Sequence, residues 1–217
     1  MNGFFNLDNP VMRFLTKLFD VMYLSILWVV FSMPIVTIGA SSTAMYYTSV
    51  KVIRRDRGYV FQEFWKSFKV NFVQATISWV LVVAGVLLFY SNMRFAYGLE
   101  GKMGTLLTVL YAFMGVLVVG CGIYLFPVLS RFTMKMRALL KTSLFLFFKH
   151  FPRSVLLVVI VAAGVFAMYL VRFSFFVVPA CTALVFSLVM EPILKLYTPH
   201  EKVEDGEEVK RDEWYLE

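Results

Sequence analysis

The stretch MGTLLTVLYAFMGVLVVGCGIYLFPVLS, residues 103–130, holds 28 residues without a single Asp, Glu, Lys or Arg. In a helix rising 1.5 Å per residue, about 20 apolar residues cross the roughly 30 Å hydrocarbon core of a bilayer. Lipid offers no hydrogen-bond partners to a backbone, so a segment that crosses it must be helical. This stretch therefore predicts a transmembrane helix.

Further uncharged runs place the whole chain in the same class. The chain of 217 residues is 60% hydrophobic and only 16% charged, with a mean hydropathy of +0.75. A water-soluble domain has nearer a quarter of its residues charged, so that class is excluded. We predict an all-α, polytopic membrane bundle of five or six transmembrane helices over residues 1–198. The other uncharged runs are residues 21–50, 70–93, 154–171 and 173–190.

The N-terminal part of the chain allows two interpretations. In the first, which we favour, one helix spans residues 21–38 and the N-terminus lies outside. In the second, a helix begins near Val11, the chain turns at residues 34–39 and it returns through residues 40–53. Arg13 and Lys17 favour the second interpretation, because their side chains can snorkel to the inner membrane face. Residues 1–20 lack the pattern of a cleaved signal peptide, so we expect the first helix to be retained.

The positive charges predict the orientation of the bundle. Residues 51–69 and residues 131–153 each carry six Lys or Arg, whereas residues 94–102 carry two. Connections rich in Lys and Arg stay in the cytoplasm. We therefore expect both basic connections, and the C-terminus, on the cytoplasmic side of a multi-pass protein.

Two similar segments indicate an internal repeat. The segments FKVNF, residues 68–72, and FKHFP, residues 148–152, are each expected to open a helix. The first helix ends at Arg94 and the second at Arg172, and each Arg is followed by Phe. In a repeat the two guanidinium groups would flank one outward-facing mouth and bind a carboxylate or phosphate. The alternative is that each Arg simply ends a span at the polar boundary.

Three longer segments resemble a known family. They are PIVTIGASSTAMYY at residues 34–47, RRDRGYVFQEFWKSFKVN at residues 54–71 and FPVLSRF at residues 126–132. They are similar to the YesL-like family of bacterial integral membrane proteins, a domain of unknown function. The resemblance implies a bacterial cytoplasmic membrane and an association with carbohydrate-uptake loci, often beside ATP-driven sugar transporters. It brings no catalytic or binding residue with it.

The interruption at Pro34 and Gly39 is the first candidate site. It frees backbone groups that lipid cannot satisfy, so the segment must be buried in protein or line a wet cavity. A ligand cavity would use Gly39 and the hydroxyl groups that follow it, which are Ser41, Ser42 and Thr43. The alternative is that these hydroxyl groups only cap helices and bond the backbone.

The sequence contains no recognisable pattern of catalytic or metal-binding residues. No Asp or Glu lies inside the four uncharged runs after Lys69, which argues against a carboxylate proton relay. His150 and His200 have no second ligand at metal-binding spacing. The Ser and Thr residues near Gly39 have no base partner in a recognisable motif. We therefore expect no enzyme activity, no metal and no cofactor.

A basic, aromatic surface is the second candidate site. Apolar residues recur every three or four positions over residues 59–72 and 134–145, among Lys and Arg, as in helices that lie in the membrane interface. This pattern predicts contact with anionic lipid or with a protein partner, and not with nucleic acid. The candidate residues are Arg54, Arg55, Trp65, Lys66, Lys69, Arg131, Lys135, Arg137 and Lys141.

Residues 199–217 differ in composition from the rest of the chain. They carry eight acidic residues against three basic ones. We expect a disordered cytoplasmic tail, or alternatively one that docks on the basic connections or on a partner. Taken together, the sequence and the resemblance favour a non-catalytic accessory or regulatory component of carbohydrate uptake that contacts sugar-transporter subunits. The alternative is a small permease or facilitator for a sugar or small anion. The sequence does not indicate an oligomeric state.

Overall fold

The computed structural model describes residues 10–197, and these residues form helices joined by short connections, with no strand among them. Five helices are long and apolar enough to cross a membrane, so the predicted all-α polytopic bundle is confirmed. The acidic segment 199–217, and the domain boundary before it, lie outside the described residues.

Seven α-helices and three shorter helical segments follow one another over residues 10–197. The α-helices are α1 (Pro10–Ser32), α2 (Ile38–Thr48), α3 (Val60–Tyr97), α4 (Lys102–Arg131), α5 (Met136–Lys149), α6 (Phe151–Leu170) and α7 (Val178–Lys195). A 3-10 turn at Ile35–Thr37 precedes α2, a π-helical turn at Ser49–Arg54 continues it, and a 3-10 segment at Arg172–Phe176 joins α6 to α7. The five membrane-length helices are α1, α3, α4, α6 and α7.

The N-terminal helices form a hairpin. Helix α1 stops at Ser32, because Pro34 has no backbone N–H and disfavours helical geometry in the residue before it. The chain then returns through the 11 residues of α2 and the six of the π turn. Lys17 and Asp56 form an ion pair of 3.1 Å, so α1 begins at the end of the bundle where the π turn finishes. The favoured single helix over residues 21–38 was wrong, because α1 ends at Ser32 and the chain reverses before α2; the favoured number of five membrane-length helices agrees with residues 10–197.

Small residues let the long helices approach closely. A Cβ added at Gly85 on α3 would stand 3.0 Å from Val118 on α4, and one added at Gly122 on α4 would stand 3.1 Å from Val82 on α3. Because lipid is as apolar as the helix surfaces, such close contact is a main source of helix association in membranes. Helices α3 and α4 therefore form the long antiparallel pair against which the N-terminal hairpin and α5 pack.

The two segments of the suggested repeat differ in backbone course. The expectation that residues 68–72 open a helix was wrong, because α3 begins at Val60 and runs through them without interruption. The second segment breaks at His150, where α5 ends and α6 begins with a proline in its first turn. The internal repeat therefore stays a prediction.

Candidate functional site

A buried ion pair joins the ends of α4 and α7. Nη1 of Arg131 lies 3.1 Å from Oε2 of Glu191, and the two side chains are 0% and 3% exposed. The hydroxyl of Tyr46 on α2 donates a hydrogen bond of 2.8 Å to the other carboxylate oxygen. Arg54 in the π turn donates to the carbonyl and hydroxyl of Ser187, one turn before Glu191. We call these five residues the buried charge cluster.

The buried charge cluster ties together elements that are distant in sequence. A charge removed from water is costly unless an opposite charge and hydrogen bonds compensate for it. Here the guanidinium of Arg131 neutralises Glu191, and the hydroxyl of Tyr46 donates to the other carboxylate oxygen. Such a pair contributes little net stability compared with apolar packing, but it specifies how the helices meet. Ionisable groups inside a membrane protein are also frequent functional sites.

The sequence-based interpretation of Arg131 and Glu191 requires a correction. Arg131 was expected on a lipid or partner surface, but its side chain is buried because it is neutralised by Glu191. Glu191 was missed because the sequence argument considered carboxylates inside the uncharged runs and not the charged residues at the ends of those runs. One signal was available: an Arg and a Glu each close an apolar run on helices that run in the same direction.

A second ionic contact fastens the connection between the π turn and α3. Nζ of Lys51 lies 3.0 Å from Oε2 of Glu63, and these side chains are 8% and 16% exposed. The same ammonium group donates to the hydroxyl of Tyr47 at 3.1 Å. Gly58, with a φ of +80°, lets the chain turn beneath the Glu63 carboxylate, where a side chain would collide with it. This contact fixes the start of α3 against the hairpin.

The Gly39 segment lies at a tight contact between helices. A Cβ at Gly39 would stand 2.6 Å from the carbonyl oxygen of Ala75 on α3. Ser41 donates to the carbonyl oxygens of Phe31 and Thr37, at 3.0 and 2.8 Å. These groups belong to the break between α1 and α2, where backbone carbonyls lose their helical partners.

The other two hydroxyl groups of this segment are also engaged. Thr43 donates to the carbonyl oxygen of Gly39 at 2.9 Å, and Ser42 accepts a hydrogen bond of 3.2 Å from the indole N–H of Trp28. The contacts of Gly39, Ser41, Ser42 and Thr43 therefore favour the structural interpretation of this segment over a ligand cavity.

The two arginines that were predicted to share an outward-facing mouth belong to elements with different neighbours. Arg94 is exposed near the end of α3, which packs against α4 and α2. Arg172 starts the 3-10 segment that packs against α1, α6 and α7, and only its backbone is described. The contacts of these elements do not bring the two arginines into one site, and a shared mouth stays a prediction.

The start of α3 carries most of the aromatic surface. Trp65 stacks in parallel with Phe61 and Phe68, at ring separations of 6.5 and 5.8 Å. Nζ of Lys69 lies 4.7 Å from the centre of the Trp65 ring, within the range of a cation–π contact. Arg54, Arg55 and Trp65 are partly buried. The exposed cations of the predicted surface are Lys66, Lys69, Lys135, Arg137 and Lys141.

His150 lies at the junction of α5 and α6. Its Nε2 is 3.1 Å from the hydroxyl of Tyr197, just after α7. Burial, and then the positive charges of Arg153 and Lys149, lower the pKa of His150 below its ordinary value. Among residues 10–197, no group of three or more His, Cys, Asp or Glu could hold a metal ion. The expected absence of a cofactor stays a prediction.

Comparison with known proteins gives two matches. The sequence pattern of a family described as "Protein of unknown function, DUF624" matches residues 21–93. The "Uncharacterized protein YesL" of Bacillus subtilis (strain 168) is 28% identical over 171 residues, which cover 77% of this chain and 80% of the relative. No solved structure matches the chain. The family match covers the second half of α1, all of α2 and most of α3.

Proposed function

We propose, from the assignment of this chain to the YesL-like family that both matches support, that it is a non-catalytic accessory or regulatory component of bacterial carbohydrate uptake. The carbohydrate context comes from the resemblance, which implies association with carbohydrate-uptake loci. The assignment itself names no reaction, and no catalytic family is indicated.

The observation that carries the proposal is a contrast between the inside and the outside of the bundle. The internal polar groups described above are engaged within the bundle: the buried charge cluster and Ser41 bond helix to helix, and Thr43 bonds a carbonyl of its own helix. The cations at the start of α3 instead face outward among stacked aromatic rings. Aromatic residues and cations of this kind suit contact with a protein partner or with lipid headgroups. We propose that a sugar-transporter subunit contacts this surface.

The charge distribution supports a location and an orientation for this surface. Five membrane-length helices make a multi-pass membrane protein. We propose the bacterial cytoplasmic membrane, with the connection between the π turn and α3 facing the cytoplasm, because Lys and Arg are retained on that side. The C-terminal end of α7 then also faces the cytoplasm.

Copurification tests the accessory role. The tagged protein is extracted in mild detergent from its native host, grown with and without plant polysaccharide, and its companions are identified by mass spectrometry. We expect near-stoichiometric transporter permease or ATPase subunits, which are lost in the variant Lys66→Glu/Lys69→Glu. The matched control is Arg94→Glu/Lys102→Glu, which reverses two exposed cations at the other end of α3 and the start of α4. Recovery of the chain alone under both growth conditions would contradict the proposal.

The buried charge cluster favours one other function, a small permease or facilitator. An ion pair between helices inside a membrane bundle can exchange one of its partners for a charged substrate. Purified protein in liposomes would then take up a small anion or an acidic sugar, and Glu191→Gln would change that uptake. Uptake no faster than in protein-free liposomes would exclude this alternative.

A further inference from the structure

Helix α5 carries a stripe of exposed cations along one side. Arg137, Lys141, Phe145 and Lys149 follow one another at steps of four residues, and all four are exposed. Residues four apart lie on the same side of a helix, one turn above the other. Leu139, Leu146 and other residues on the opposite side are buried. The sequence from residue 131 to residue 153 contains no acidic residue that could neutralise the stripe within this segment.

The C-terminal end of α7 meets this stripe. The ring of Tyr197, the last described residue, lies edge-on to Phe145 with 6.2 Å between ring centres. Nζ of Lys149 stands 5.0 Å from the centre of the Tyr197 ring, and His150 bonds its hydroxyl. The chain therefore leaves the bundle beside the last turn of α5, at one end of the stripe.

The sequence that follows has the charge complementary to this stripe. Residues 199–217 carry eight acidic and three basic residues, a balance of −5. Five exposed cations lie on or beside α5, namely Lys135, Arg137, Lys141, Lys149 and Arg153.

The acidic residues are also close enough to reach the whole stripe. Glu204 follows Tyr197 by seven residues and Glu208 by eleven, so an extended chain carries them about 23 to 36 Å. The stripe from Lys149 back to Arg137 is 12 residues of helix, or about 18 Å long. An extended tail is therefore long enough to reach along the whole stripe.

We propose that the acidic segment 199–217 docks on the cationic stripe of α5 in the same molecule and shields it from anionic lipid and from partner proteins. Tethering gives the segment an effective concentration in the millimolar range, so weak contacts between exposed charges suffice. Docking of this kind is sensitive to salt, because exposed charges are screened over about 10 Å at 0.1 M ionic strength. The inference does not depend on the proposed function, since it concerns the position of the tail and not the identity of a partner.

Zero-length carbodiimide cross-linking, which joins a carboxylate to an amine in contact with it, tests this docking. Full-length protein in a neutral detergent is prepared from equal amounts of light and heavy isotope-labelled chains, and cross-linked peptides are read by mass spectrometry. We expect acidic residues of the tail joined to Lys141 and Lys149, within one isotope label only. The yield should fall at least fivefold between 20 and 500 mM NaCl.

Two variants separate docking from incidental contact. Arg137→Glu leaves both amines in place, yet it should lower cross-linking at Lys141 and Lys149 severalfold. The matched control Arg94→Glu reverses an exposed cation at the far end of α3 and should leave the yield unchanged.

Several results would overturn the proposal. Equal yields at Lys66 and Lys69 would show that the tail has no preference for α5, and mixed light–heavy peptides would assign the stripe to a second copy of the chain. Absence of tail cross-links would mean that the tail leaves the stripe open. Loss of the cross-links in nanodiscs that contain anionic phosphatidylglycerol would assign the stripe to lipid.

Discussion

Removing the charge of Glu191 should destabilise the bundle far more than removing a charge from its surface. The variant Glu191→Gln keeps an oxygen that can accept from Tyr46, so it removes mainly the attraction to Arg131. Breaking a buried ion pair by neutralising one partner costs about 3–5 kcal/mol, because the remaining charge stays buried. The side chains are 0% and 3% exposed, so water screens little of this cost. We expect a loss near the lower limit, about 3 kcal/mol.

A double-mutant cycle isolates the contribution of the pair. Arg131→Met should also cost about 3 kcal/mol, because it leaves the Glu191 carboxylate buried without its guanidinium. The double variant Glu191→Gln/Arg131→Met buries no charge, so we expect it to be no less stable than either single variant. The coupling energy would then be about 3 kcal/mol, or roughly a hundredfold in the unfolding equilibrium.

Unfolding of the purified protein in mild detergent, titrated with sodium dodecyl sulfate and followed by circular dichroism, measures these differences. The control is the exposed pair Lys17–Asp56, with the same 3.1 Å separation but side chains 45% and 70% exposed. Asp56→Asn should cost less than about 1 kcal/mol, as surface pairs do. A loss below about 1 kcal/mol for Glu191→Gln, or strict additivity of the two single variants, would refute the reasoning.

Three further predictions concern packing and protonation. Gly39→Ala should cost about 1–3 kcal/mol, because its Cβ would stand 2.6 Å from a carbonyl oxygen of α3, whereas Gly115→Ala, with its nearest neighbour at 3.8 Å, should cost nothing in the same titration. Trp79→Phe should cost about 1 kcal/mol, because it removes the 2.8 Å hydrogen bond from the indole N–H to the carbonyl of Ile35; an unchanged unfolding midpoint would contradict this role. The pKa of His150 is lowered in the fold by burial and two neighbouring cations, so its stabilising contribution is complete above pH 6.5 and is lost as the pH falls through the lowered value. The difference in thermal midpoint between the wild type and His150→Gln should therefore shrink between pH 7.5 and pH 5, and a difference that grows on acidification would contradict the direction of the shift.

The hairpin at the N-terminus shows where sequence reasoning needed the structure. The uncharged run of residues 21–50 is long enough for one span, and its length gave no reason to divide it. Pro34 marked a helix boundary, but a proline also occurs in kinked membrane helices that continue beyond it. Only the contact between Lys17 and Asp56, 39 residues apart, establishes that the chain returns to the end from which it began.

Some candidate residues could be placed from the sequence alone, and others could be placed only from the structure. The exposure of Lys66, Lys69 and Lys141 follows from the amphipathic pattern of α3 and α5, which is local in sequence. The burial of Arg131 does not follow from a local pattern, because it depends on a carboxylate 60 residues away on another helix. The hydroxyls near Gly39 were recognised as a group, but the use of Ser41 in closing the break between α1 and α2 required the positions of the freed carbonyls.

The sequence by itself determined the class of the protein, four of its five long helices and the distribution of its positive charge. Each of these features depends only on residues that are close together in sequence. An apolar run must be long enough to cross lipid, and a connection must carry enough Lys and Arg to stay on one side of the membrane. The tertiary structure alone decided the N-terminal hairpin and the burial of Arg131, Glu191 and Tyr46 in one cluster. Tyr46 and Glu191 are 145 residues apart, and the free energy that keeps them together exists only once α2, α4 and α7 have met.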